Sequence, residues 1–101
     1  MSQISVIAKI PCKPGTRADV VEGLRAMLDH VESEEGTLTY VLHQDAKDDD
    51  VLWMYEVYAD QAGLDAHSTS DAMKTVGRAI GANMAGALEF TFMTPIGGKG
   101  A

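Results

Sequence analysis

Glu56 and His67 are the two residues whose type and setting best suit proton transfer. Glu56 is the one carboxylate in the apolar run 51–58, VLWMYEVY. Burial disfavours an ionised carboxyl, so Glu56 is expected to be partnered, for example by Arg78, or to be neutral and able to exchange a proton. His67 is expected either to act as a proton shuttle or only to close a short helix. Both alternatives remain open from spacing alone.

Aromatic side chains crowd around Glu56. Because side chains on a strand alternate between two faces, the run divides into two sets. These are Trp53, Tyr55 and Val57 on one face, and Met54, Glu56 and Tyr58 on the other. Together with Tyr40 on the preceding strand, such rings form either plain core or a wall for a flat aromatic ligand.

Hydrophobic patterning places these residues in an α+β chain. The predicted elements are a strand over 2–10, a helix begun at Thr16 in a capping box and ended by Gly36, strands over 37–44 and 51–58, helices begun by Asp60 and Ser70, and a strand over 88–94. This β-α-β-β-α-β order predicts a ferredoxin-like fold, a four-stranded antiparallel sheet with its helices on one face.

The face of the sheet that the helices leave open is also expected to be apolar, because both parities of VLWMYEVY are apolar. A second copy of the chain is the simplest cover, so the sequence predicts a homodimer. Residues 1–96 are expected to form a single domain, and residues 97–101, GGKGA, to be a flexible tail.

Composition excludes several classes of partner. The chain has 101 residues and a formal net charge of −7, which argues against nucleic acid and anionic membranes. It has no run long enough to cross a bilayer, no signal-peptide pattern and no nucleotide, phosphate or zinc motif. Cys12 is the single cysteine and is expected to be a free structural thiol. The sequence therefore predicts a cytoplasmic protein without a metal or cofactor.

Three segments together resemble the antibiotic biosynthesis monooxygenase family. They are EEGTLTYVLHQD at 34–45, VLWMYEVYADQAGLDAHSTSDAM at 51–73 and FTFMTP at 90–95. The residues that carry the resemblance are Glu34 or Glu35, Gly36, Tyr40, Glu56, Tyr58, Asp60, His67 and Ser70. The resemblance covers nearly the whole chain and implies a dimeric α+β barrel.

The resemblance also implies a chemistry, a cofactor-independent oxidation of a phenolic, quinol or polyketide-type aromatic substrate by O₂. The resemblance itself carries over His67, Tyr58 and His43 as pocket residues. With the residues already considered, we predict His67, Glu56 and Tyr58 as catalytic and Tyr40, His43, Met54 and Met73 as substrate-binding. A base would deprotonate the substrate, and the resulting anion would pass an electron to O₂.

Two departures from the family pattern narrow the range of expected substrates. Met54 stands where the polyketide-oxidising branch can carry an Asn, which weakens the expectation of an anthrone. The haem-degrading branch needs an Asn near the first strand, where this chain has Ser5 and Ile7, so haem degradation is not expected.

Two alternatives to an oxygenase remain. One is an isomerase of an autoinducer-type sugar phosphate, for which Lys9, Lys74 and Arg78 are the candidate phosphate ligands. The other is a non-catalytic dimer that binds a small aromatic molecule.

Overall fold

A computed structural model describes residues 2–101 as strands and helices in the predicted order. The strands are β1 (Ile4–Pro11), β2 (Thr37–Gln44), β3 (Val51–Tyr58) and β4 (Glu89–Met93). The helices are α1 (Arg17–His30), α2 (Gln61–Ser68) and α3 (Asp71–Ile80), with 3-10 turns at Val31–Ser33 and Gly81–Asn83. The strands pair in the order β2-β3-β1-β4, all antiparallel, which confirms the ferredoxin-like fold.

The hydrophobic core lies between this sheet and the helices. Val20, Leu24 and Met27 recur at the four- and three-residue spacing of an apolar helical stripe, and α1 buries all three. They join one cluster with buried residues of β1, β3 and α3, among them Ile10 and Val76. Cys12 directly follows β1, and its thiol is free and buried. The backbone of Cys12 forms an isolated antiparallel β-bridge with that of Met84. Each layer therefore buries one face against the other, as two-layer packing requires.

The alternation predicted for β3 is confirmed. Met54, Glu56 and Tyr58 are buried beneath the helices, whereas Tyr55 is 40% exposed on the opposite face. Strand register aligns Tyr55 with Val41 on β2 and with Ile7 on β1, and all three are exposed apolar side chains. An apolar row therefore crosses the open face of the sheet.

Helix boundaries follow the predicted caps only in part. Asp60 caps α2 by accepting a hydrogen bond from the Gly63 amide at 2.9 Å, and Ser70 caps α3 by accepting from the Met73 amide at 3.1 Å. The capping box at Thr16 is wrong, because the Thr16 hydroxyl donates to the Lys13 and Asn83 carbonyls instead.

The first helix ends earlier than predicted. Its last residue is His30, a 3-10 turn continues to Ser33, and Gly36 lies in the turn before β2.

The alternative of an ion pair between Glu56 and Arg78 is wrong, because the hydrogen-bond partner of Glu56 is Tyr58.

The hairpin between β2 and β3 is held by the Asp45 carboxylate. It accepts hydrogen bonds from the Lys47 and Asp48 amides and from the Trp53 indole. The bond from Asp48, followed by those from Trp53 and Lys47, lowers the pKa of Asp45 to about 2. This turn fixes the register that aligns β2 with β3.

Outside the folded layers, residues 97–101 form no helix or strand and are exposed, while their flexibility stays a prediction. Within residues 2–101, no helix has the length and apolar character that crossing a membrane requires.

Candidate functional site

A cavity of about 300 Å³ lies between the sheet and the helices. Apolar side chains from β1, β3, β4 and all three helices form most of its wall. Phe90 and Phe92 project from the edge strand β4 toward the helical side, where they are 50% and 60% exposed, with ring centroids 6.2 Å apart. With the exposed Ser68 and Gly77, they mark the mouth of the cavity.

His67 is the histidine of the cavity wall and is 2% exposed. It occupies the last turn of α2, and its carbonyl accepts a hydrogen bond from the Ser70 hydroxyl at 2.9 Å. Its ring lies against two phenol rings, with centroid distances of 5.1 Å to Tyr40 and 5.4 Å to Tyr58. Backbone and ring contacts together fix the direction of the imidazole.

The two ring nitrogens of His67 have different surroundings. Nδ1 lies 2.9 Å from Oε1 of Glu34, while Nε2 is buried and has no hydrogen-bond partner among residues 2–101. A buried polar atom without a partner is costly, and such atoms often mark the place of a ligand. Nε2 is therefore the ring nitrogen of His67 that the protein leaves without a partner.

Glu34 is held from several directions. The Thr37 hydroxyl donates to Oε1 at 2.7 Å, and His30 Nε2 lies 3.1 Å from Oε2 without hydrogen-bond alignment. Burial acts to raise the pKa of Glu34, but the contacts with Thr37 and His67 and the charges of His67 and His30 outweigh it. The pKa of Glu34 is thus lowered, and its ionised form is favoured.

Glu56 has the opposite electrostatic character. It is 5% exposed, and its Oε1 accepts a hydrogen bond from the Tyr58 hydroxyl. Burial raises the pKa of Glu56 by more than the Tyr58 hydrogen bond and the charge of His67 lower it. Burial also raises the pKa of both Tyr58 and Tyr40, and nearby carboxylates add to this effect. The site therefore combines a carboxyl whose pKa is lowered, a carboxyl whose pKa is raised and an imidazole in contact with the first, a division typical of acid–base sites.

Residues 3–79 match the sequence model of antibiotic biosynthesis monooxygenases. The chain belongs to this family. No curated protein matches it.

Solved structures agree with the family assignment. The chain is similar to a candidate antibiotic biosynthesis monooxygenase of Caulobacter crescentus, with 27% identity, a TM-score of 0.90 and coverage of 95% of this chain and 92% of the other. A Pseudomonas aeruginosa protein is 26% identical, with a TM-score of 0.87 and coverage of 96% and 97%. A candidate family member from Chloroflexus aurantiacus is 28% identical, with a TM-score of 0.80 and 98% of both chains covered.

Most residues that the sequence assigned to a site in this monooxygenase-family chain gather at the cavity. Tyr40, Met54, Glu56, His67 and Met73 line it. Tyr58 is fully buried behind the wall, in contact with Glu56 and His67. Their roles in binding or catalysis stay predictions.

His43 is the exception among the assigned residues. Tyr40 and Leu42 lie on the helical side of β2, so His43 points to the opposite, open face, where it pairs with Trp53 and is exposed. Its Nδ1 lies 3.0 Å from the carbonyl of Val41. Strand alternation, applied to β2 as it was to β3, would have placed His43 outside the cavity.

Neither Glu34 nor Thr37 was predicted from the sequence to have a role in the site. Glu34 entered only as one of two adjacent carboxylates that carried the family resemblance, and nothing in the local sequence distinguishes it from Glu35. The structure separates them, because Glu34 contacts His67 while Glu35 is exposed.

Proposed function

We propose that the protein is a cofactor-independent monooxygenase that oxidises a small phenolic or quinol-type aromatic substrate with O₂. The observation that carries this proposal is the unpartnered Nε2 of His67, a residue in the wall of an apolar cavity, beside a hydrogen-bonded Glu56–Tyr58 pair. Membership of the antibiotic biosynthesis monooxygenase family supports the same class of reaction.

The cavity suits a small aromatic molecule in size and polarity. Its volume of about 300 Å³ lies at the lower end of the range for ligand sites. Apolar walls and the ring of Tyr40 would pack against the faces of the substrate, while Glu56 and His67 would meet its polar groups. Phe90 and Phe92 at the mouth would guide a flat ring inward.

The proposed reaction begins with proton removal. His67 Nε2 takes the phenolic proton, and the phenolate passes one electron to O₂. The radical pair then combines at the ring carbon opposite the phenolic oxygen and forms a peroxide. Exclusion of water from the apolar cavity keeps the anion reactive toward O₂.

The peroxide then breaks down to a quinone and water. Glu56 donates its proton to the outer peroxide oxygen and accepts the proton of the ring carbon as the oxygen–oxygen bond breaks. Protonated His67 returns the phenolic proton to the departing hydroxide. One oxygen atom stays as the new carbonyl and the other leaves as water, so the substrate supplies all four electrons and no outside reductant is consumed.

A sugar-phosphate isomerase receives little support from this geometry. Within residues 2–101, no lysine or arginine lines the cavity. Lys9 pairs with Trp53 on the open face, while Lys74 and Arg78 lie on the exposed side of α3. A phosphate bound beside Glu56 would therefore lack a compensating cation.

We also propose that a second copy of the chain covers the open face of the sheet. The aligned Val41, Tyr55 and Ile7 are 46%, 40% and 36% exposed, and an apolar row at the centre of a sheet face favours burial against another surface. A two-fold axis through this row would pack identical faces together. The dimer would act in the cytoplasm, as the sequence predicts.

Oxygen uptake tests the proposed activity. Chelator-treated protein of measured metal content would be mixed with a panel of naphthols, quinols and anthrones in an oxygen electrode cell. We expect O₂ consumption equal to quinone formed, with one ¹⁸O atom in the product when ¹⁸O₂ is supplied. Consumption no faster than in protein-free buffer across the panel contradicts the oxygenase. Tight binding without turnover would then favour a ligand-binding role.

A further inference from the structure

The contact between Glu34 and His67 determines which nitrogen of the imidazole carries the proton in the neutral ring. A neutral imidazole carries one proton, on either Nδ1 or Nε2. Nδ1 lies 2.9 Å from Oε1 of Glu34, whereas Nε2 has no partner among residues 2–101. An ionised carboxylate only accepts hydrogen bonds, so this short contact requires the proton on Nδ1.

We propose that Glu34 is a positioning residue that holds neutral His67 in the Nδ1-protonated tautomer, so that Nε2 carries a lone pair that no protein group occupies. The tautomer itself is a property of the resting protein. Its consequence for turnover rests on the proposed oxygenase function, in which Nε2 takes the phenolic proton.

Glu34 is suited to this role by its own contacts. The Thr37 hydroxyl donates to the same oxygen that faces His67, which restrains the carboxylate near the imidazole. The Glu34 side chain is 13% exposed and that of His67 is 3% exposed, so water competes little for either group. A charge-assisted hydrogen bond in such a setting is among the stronger ones in proteins.

The two phenol rings around His67 hinder rotation of its imidazole. Tyr40 and Tyr58 pack on the imidazole at 5.1 Å and 5.4 Å, and a ring flip would carry Nδ1 away from the carboxylate. His30 at 3.1 Å from Oε2 adds a second nitrogen at the opposite side of the carboxylate. The imidazole therefore keeps its orientation while substrate is absent. Outer residues that orient a reacting histidine in this way change activity by about 10–100-fold in metal sites.

Nitrogen-15 spectroscopy measures the tautomer directly. Protein labelled at histidine ring nitrogens would be compared with Glu34→Gln at a pH where His67 is neutral, with His67→Ala identifying the His67 signals. We expect the Nδ1-protonated pattern in the unaltered protein. Glu34→Gln should populate the Nε2-protonated form, because an amide can either accept or donate. Glu35→Gln is the matched control and should keep the original pattern, because Glu35 is exposed.

Turnover supplies the second measurement. Glu34→Gln should lower kcat by about 10–100-fold and change KM less than two-fold, with the far-ultraviolet spectrum unchanged. Nε2-protonated His67 in the unaltered protein would overturn the proposal without any variant. An unchanged tautomer or an unchanged kcat in Glu34→Gln would overturn it as well.

The two proposals fail separately. The tautomer is read without substrate or O₂, so a wrong tautomer removes the role of Glu34 even from an active oxygenase. Conversely, Nδ1-protonated His67 in a protein that consumes no O₂ upholds the placement of the proton and rejects the oxygenase.

Discussion

Gly36 and Gly63 bring the backbone before β2 into direct contact with the first turn of α2. A Cβ on Gly63 would lie 2.7 Å from the Gly36 carbonyl oxygen, and a Cβ on Gly36 would lie 2.6 Å from the Gly63 Cα. The same carbonyl accepts a hydrogen bond from the Ala59 amide at 2.9 Å. His67 follows Gly63 by about one helical turn and so lies on the same face of α2. This close approach therefore sets how near His67 comes to Glu34.

Adding one methyl group at Gly63 should disturb that approach. Gly63→Ala places a Cβ against backbone, which cannot move aside as a flexible side chain would, so α2 must shift outward. We expect a loss of about 1–3 kcal/mol in the free energy of unfolding. Urea unfolding followed by circular dichroism at one fixed protein concentration measures it.

Gly77→Ala is the matched control for that substitution. It makes the same change inside α3, where a Cβ would meet nothing within 4 Å. Removing a helical glycine there should raise the free energy of unfolding by about 0.5–1 kcal/mol. Equal effects of the two substitutions would contradict the special role of the Gly36–Gly63 contact.

Substitution of His67 and His43 distinguishes a role at the cavity from a position on the surface, because the two imidazoles lie on opposite sides of the sheet. His67→Ala should lower turnover of an oxidisable phenol by about 10²–10⁴-fold, the usual contribution of a general base. His43→Ala should leave turnover within two-fold, because the structure places His43 on the open face. Steady-state kinetics with one phenolic substrate compares them. A larger loss with His43→Ala would restore the substrate-binding role that the family resemblance implies.

Glu56 should make stability depend on pH in a defined direction. Because burial raises the pKa of Glu56, the folded protein keeps a proton that the unfolded chain releases above its ordinary pKa of 4.5. The stability linked to this proton is complete below that value and is lost as pH rises through the folded pKa. Glu56→Gln keeps an acceptor for the Tyr58 hydroxyl but has no proton to lose.

The measurement compares unfolding free energies of both proteins between pH 4 and pH 8. The unaltered protein should lose stability relative to Glu56→Gln as pH rises. The opposite slope would mean that the folded state favours an ionised Glu56, and would remove it as the proposed proton donor.

The oligomeric state should respond to charge on the open face. Val41→Lys places an ammonium in the apolar row with Tyr55 and Ile7, where a partner sheet would leave it unpaired. Light scattering on a sizing column should report a dimer for the unaltered protein and a shift toward monomer for Val41→Lys. Thr75→Lys adds the same charge on an exposed position of α3 and should leave the dimer intact. A monomeric unaltered protein at micromolar concentration would contradict the proposal.

Local patterns in the sequence determined the layers of this protein. Alternation in the run 51–58 separated Glu56 from Tyr55, and the apolar stripe on α1 identified the buried helix face. Asp60 and Ser70 marked two helix starts correctly. Each of these features depends on neighbours within a few residues, which is why the sequence alone exposes them.

Only the tertiary structure decided the partners of the site. Glu34 and His67 meet across 33 positions of the chain, and no local period encodes that distance. The choice of Glu34 over Glu35 and the pairing of Glu56 with Tyr58 rather than Arg78 depend on how the chain before β2, β3 and α2 pack together. Side-chain contacts of this kind follow from packing between elements. The sequence therefore identified most residues of the site, but not the contacts that shift the pKa of its carboxyl groups.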